Sequence, residues 1–119
     1  MKLTSADKVL DLTMQQREAV ARKVFAYEAV KEAITKAAGQ GAGHVRIAQG
    51  LPVSLRSMKA TKQLLAALKE AGYKAEWVDA VERERSNGKE TGAFILYEEL
   101  RISWAAVRIH SGPQSEAAE

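Results

Sequence analysis

The sequence predicts a small single α+β domain in the order α-β-α-β-β, with a C-terminal β-hairpin in a three-stranded sheet and a long N-terminal helix. Three observations carry this. Val20, Val24, Tyr27, Val30 and Ile34 recur at the spacings of one helical face. Asn87-Gly88 separates two alternating runs, the strongest short-range signal for a hairpin. A chain of 119 residues, 46% apolar and 28% charged, has the size and balance of one globular domain.

Residues 14–38 are rich in Ala, Glu, Lys, Gln and Arg, contain no Pro, and meet their first glycine at Gly39. A short helical turn near 5–11 precedes one long helix over 14–38, about 37 Å at 1.5 Å per residue. Thr4 with Asp7, and Thr13 with Gln16, each resemble a capping box. The run Gly39-Gln40-Gly41-Ala42-Gly43 stops the helix in a Schellman-like turn and reads as a hinge over 39–43.

A βαββ unit follows over 44–110, completing the domain 1–110. His44–Gln49 alternates as a short strand until Gly50-Leu51-Pro52 breaks it. Ser54 is the expected N-cap of a helix running to Ala71, with Gly72 past its end. Met58, Thr61, Leu64, Leu65, Leu68 and Ala71 fall within an arc of about 140°, its buried face. A two-residue turn sets Val81 opposite Phe94 and Trp77 opposite Glu98, with Leu96, Leu100, Ile102 and Trp104 also on the Trp77 side. Glu98 interrupts that apolar face and predicts a bulge at Glu98-Glu99. Helix 55–71 is expected to cover the face holding Trp77, Phe94 and Leu96. Residues 111–119 read as a disordered acidic tail.

Several chemistries find no footing in the residues. The chain has no Cys, no apolar run near 18 residues, and no apolar stretch in Met1–Asp7 of the kind a signal peptide carries. The expectation is a cytoplasmic protein without a membrane partner. His44 and His110 lie in separate segments without metal-ligand spacing, and no nucleophile elbow is present. The glycine run follows a helix and precedes a strand, the reverse of a phosphate cradle. Asp79 and Glu98 are the one carboxylate pair in reach of acid–base work, diagonal neighbours in the expected register. A bulge there turns them to solvent. No catalytic residue, metal or cofactor is assigned, and the protein is read as non-enzymatic.

Charge is unevenly placed. Residues 41–72 hold five basic side chains and one acidic, whereas 73–119 hold six basic and nine acidic. Arg56, Lys59, Lys62 and Lys69 fall on one arc of the second helix, and Arg83, Arg85 and Lys89 cluster at the hairpin tip. A basic helix stripe can track a phosphate backbone and a basic hairpin can enter a groove. These seven residues are the expected nucleic-acid contacts, with DNA favoured over RNA. The alternative is a protein-interaction module, an inhibitor or adaptor of a larger complex such as the accessory factors of mobile elements. A homodimer is expected through helix 14–38 or the Trp104 end of the hairpin.

Overall fold

The computed structural model describes residues 3–105. The elements are α1 (Ala6–Val24), α2 (Tyr27–Gly39), β1 (His44–Ile47), α3 (Lys59–Glu70), β2 (Lys74–Ser86) and β3 (Lys89–Ser103). The strands form one antiparallel sheet ordered β1-β3-β2. The expected α+β class, three-stranded sheet and hairpin are therefore present. Residues 106–110, the end of the expected βαββ unit, and the tail 111–119 lie outside the described residues.

The single rod expected over 14–38 is instead two helices. Phe25 closes α1 by donating its N–H to the Ala21 carbonyl at 2.8 Å, and Ala26 is extended at φ −60°, ψ 138°. No Gly or Pro causes this break, and α2 has no side-chain N-cap bond. The cause is tertiary. Phe25 is 2% exposed and meets the Trp77 ring edge-on, centroids 6.5 Å apart. Such aromatic burial outweighs the few tenths of a kcal/mol per residue by which propensity favours a continuous helix.

The glycine run folds as a hydrogen-bonded turn. Ala42 donates to the Ala37 carbonyl and Gly41 to the Ala38 carbonyl, the paired bonds of a Schellman stop. Gly41 takes φ +87°, the left-handed conformation that makes these bonds reachable. Gly43 then lies so close to Ala105 that a Cβ would approach the Ala105 Cβ to 2.7 Å.

Helix α3 starts four residues later than Ser54 would place it. Its N-cap is Met58, and Arg56 sits in the preceding loop. That loop is held from inside. Leu55 is fully buried, and its carbonyl accepts the Thr61 hydroxyl at 2.6 Å and the Met58 N–H at 3.2 Å. Upstream, the buried Gln49 donates its side-chain amide to the Leu51 and Val53 carbonyls. The end at Gly72 is as expected, with Tyr73 bonded back to Leu68 and Gly72 to Lys69.

At the hairpin, Asn87 and Gly88 both take positive φ, a type I′ turn. The ladder begins as expected with Ser86↔Lys89 and Arg85↔Glu90, then shifts, so that Arg83 faces Phe94, Val81 faces Leu96 and Trp77 faces Leu100. The bulge thus lies at Thr91–Ala93, not at Glu98-Glu99. There Glu84 alone opposes three residues, and Gly92 takes φ +91°. Thr91 stitches it by donating its hydroxyl to the Glu84 carboxylate at 2.6 Å.

The core lies between the helices and one face of the sheet. It gathers Ala21, Phe25, Val30, Leu64 and Leu68 against Ile47, Leu100 and Ile102. Strand β1 has four residues, so it covers β3 only over Leu100–Ser103. The rest of the hairpin runs on past the core as a two-stranded arm. Phe94 and Leu96, expected under the second helix, are 52% and 64% exposed on that arm.

Candidate nucleic-acid interface and the projecting arm

Burying Thr61, Leu64 and Leu68 turns Lys59, Lys62 and Lys69 outward. At 100° per residue these three lysines share an arc of about 80°, spread over about 15 Å of the axis. Glu70 is the one acidic residue of α3. The stripe is shorter than the sequence implies, because Arg56 is not on the helix. Its guanidinium lies 5.8 Å from the Trp77 ring centroid and 3.3 Å from the Glu98 carboxylate. Arg56 is tied to the base of the arm, immediately before the N-terminal end of α3.

That end of α3 carries a partner the sequence does not announce. Glu18 of α1 accepts the Lys59 N–H at 2.9 Å through Oε1 and the Ala60 N–H at 3.0 Å through Oε2. One carboxylate thereby satisfies two of the free donors at the helix start, as a cap supplied from another helix. The site a phosphate would take at this terminus is filled by the protein itself.

These backbone bonds, Lys59 first and then Ala60, hold the Glu18 carboxyl below the usual carboxylate range, with smaller help from Arg22 and Lys59 charges. A carboxyl lowered on folding contributes stability above its unfolded pKa and loses it as pH falls through the folded value. We expect Glu18→Gln to make the acid limb of the stability–pH curve shallower, read by urea unfolding at neutral pH and in the acid range. An unchanged acid limb would remove Glu18 as the cap.

At the tip of the arm Glu82, Glu84 and Glu90 stand among Arg83, Arg85 and Lys89, and the arm as a whole is net acidic. Asp79–Glu99 holds three basic residues and six acidic ones. Arg85 is paired with Glu90 at 3.4 Å and also donates to the Gly88 carbonyl. Arg83 and Lys89 make no ion pair among the described residues. On the sheet side away from the helices, Arg46 bonds Glu99 at 3.0 Å and the Asp79 carbonyl at 3.2 Å, joining all three strands. Arg101 pairs with Glu76 on the same side. Tyr97 donates to Glu99 there, and burial first, then the Glu99 charge, pushes its hydroxyl pKa up.

Asp79 and Glu98 are direct cross-strand partners rather than diagonal ones. Asp79 is exposed, and Glu98 is half-buried with Arg56 as its partner. Among the described residues, no group of three or more His, Asp or Glu side chains is placed to hold a metal ion, and no helix is long and apolar enough to cross a membrane.

Protein-family models, curated proteins and solved structures give no match to this chain.

The site therefore has two parts. One is the lysine face of α3, with Arg56 at the foot of the arm. The other is the arm itself, whose Val81, Phe94, Ile95 and Leu96 stand 45–64% exposed. Glu18 and the exposed apolar group of the arm are what the sequence reading missed. Glu18 had no local signal, being 41 positions from the backbone it caps. The uncharged run Gly92–Tyr97 was such a signal, though it equally suits a buried strand.

Proposed function

We propose that this is a non-enzymatic nucleic-acid-binding protein, a homodimer, that lays the outer face of α3 along the backbone of a duplex, DNA in preference to RNA. The observation that carries the reading is the outward alignment of Lys59, Lys62 and Lys69 beside a helix terminus already neutralised by Glu18. Lysines spaced along a straight helix meet successive phosphates and need no base. Tyr73 and Trp104 pack edge-on with each other, and Trp77 packs on Phe25, so these rings serve the core rather than the stacking of single strands. Arg83 and Lys89 reach into the groove from the arm in this reading. Arg56 and Arg85, held by Glu98 and Glu90, contribute less.

Three phosphate contacts set a slope of about −3 for log affinity against log salt on duplex DNA, at about −0.9 each. Lys59→Ala with Lys62→Ala should weaken binding on every duplex sequence and flatten that slope by about two units, measured by fluorescence anisotropy at several salt concentrations. An unchanged slope and affinity in the double variant would overturn the reading. The protein-interaction reading would then stand in its place, favoured by the exposed Phe94, Ile95 and Leu96 of an arm whose net charge is negative.

A further inference from the structure

We infer that residues 106–110 of this chain dock into the apolar groove between α2 and α3, with Val107 and Ile109 turned to its floor. The inference is independent of the homodimer reading and of the lysine face, since Lys59, Lys62 and Lys69 do not line this groove.

The groove has a volume of about 390 Å³ and is lined by Tyr27 and Ile34 of α2, Leu64, Ala67 and Leu68 of α3, and Tyr73 just past α3. Leu64 and Leu68 are its buried floor, whereas Tyr27 is 59% exposed. The fold opens one end of this groove where the chain leaves β3. His44, at the start of β1, and Lys74, at the start of β2, both pair with Ser103. Each of these strands follows a helix, α2 leading into β1 and α3 into β2. The C-terminal ends of α2 and α3 therefore flank the end of β3, and the groove between them begins there.

The chain is tethered at the mouth of the groove. Trp104 and Ala105 both donate their N–H to the Gly43 carbonyl, at 3.0 and 3.3 Å, in the turn that follows α2. The Trp104 ring packs edge-on against Tyr73, centroids 6.4 Å apart. Neither β1 nor β2 reaches past Ser103, so the sheet offers no ladder to the residues that follow. Those residues are Ala106-Val107-Arg108-Ile109-His110, before Ser111-Gly112-Pro113 breaks the run. Extended, the five reach about 16 Å. Tyr27 to Ile34 spans about 10 Å of α2, so the segment is long enough to pass Tyr73 and approach Tyr27. Alternation then sets Val107 and Ile109 on one side, toward Leu64 and Leu68, and Arg108 on the other, toward solvent. A short tether presents its segment at an effective concentration on the order of millimolar, which a separate partner has to exceed.

Amide hydrogen exchange on the full chain should show Val107, Arg108 and Ile109 exchanging about tenfold more slowly than in an unstructured peptide, whatever the protein concentration. Val107→Asp with Ile109→Asp should abolish that protection. The same variant should speed nitration of Tyr27 by tetranitromethane several-fold and leave Tyr97, on the arm, unchanged. Ala67→Lys obstructs the groove from the α3 side and should release the same amides, with circular dichroism showing that the chain stays folded. Exchange at the unstructured rate in the unaltered protein overturns the docking. Protection that survives Ala67→Lys seats the segment elsewhere and overturns it too, as does Tyr27 nitration that the Asp variant leaves unchanged. Protection that grows with protein concentration puts the segment in the groove of another copy and overturns docking within one chain.

Discussion

Leu100→Ala should cost about 3–4 kcal/mol in urea unfolding, a large part of what a domain of this size has to lose. Leu100 is fully buried at the point where the sheet changes from three strands to two. It faces Ile47 of β1 on one side and Trp77 of β2 on the other. Truncation there opens a void between strands that cannot close without moving both neighbours, so the cavity adds to the lost transfer energy. Leu96→Ala provides the contrast. Leu96 is on the same strand and the same face, four residues nearer the tip, but is 64% exposed. Its change in the isolated chain should stay within about 0.5 kcal/mol. Similar losses at both positions would mean that the arm packs as part of the core, contrary to the exposure of Val81, Phe94 and Leu96.

Phe25→Ala should cost about 3–5 kcal/mol while leaving the helical signal of the folded protein undiminished or increased. The two effects come from one side chain. Phe25 fills the core against Trp77, and its burial imposes the break between α1 and α2. With Ala at this position the segment Val24–Tyr27 loses the reason to leave the helix and gains the best helix former. Circular dichroism at 222 nm under conditions where the variant remains folded, set beside urea unfolding, separates the two. A fall in helical signal together with a small stability loss would show that the break belongs to the local backbone and not to Phe25.

These two residues also mark where the sequence was legible. Face assignment along the hairpin was readable, since alternation places Trp77, Leu96, Leu100 and Ile102 on one side. Individual partners were not. The bulge at Thr91–Ala93 adds two residues to β3, which preserves parity and displaces every pairing beyond it by two. Glycine supplies the left-handed backbone there, but Gly92 carries no sign that it bulges rather than turns. Helix ends with local chemistry, at Gly41 and Gly72, were visible. Those decided at a distance were not, because Phe25 takes its reason from Trp77 and α3 takes its cap from Glu18. The lysines of the candidate interface were legible from period alone, since the apolar face of α3 leaves them one side. Arg56 was misplaced with the helix start. Ser54 is a good capping residue, yet the bonds to the Leu55 carbonyl and the cap from Glu18 set the first turn later.

The arm gives a light protein a long outline. Past the last β3 residue that β1 covers, Leu100 opposite Trp77, strand β2 runs on from Val78 to Ser86, about 30 Å at about 3.3 Å per residue, whereas a compact chain of this length has a radius of gyration of only about 13 Å. Friction in solution follows the long dimension, while scattered light follows the mass. Even a single copy will therefore leave a gel-filtration column ahead of a compact 13.0 kDa protein, and its diffusion coefficient will be that of a heavier sphere.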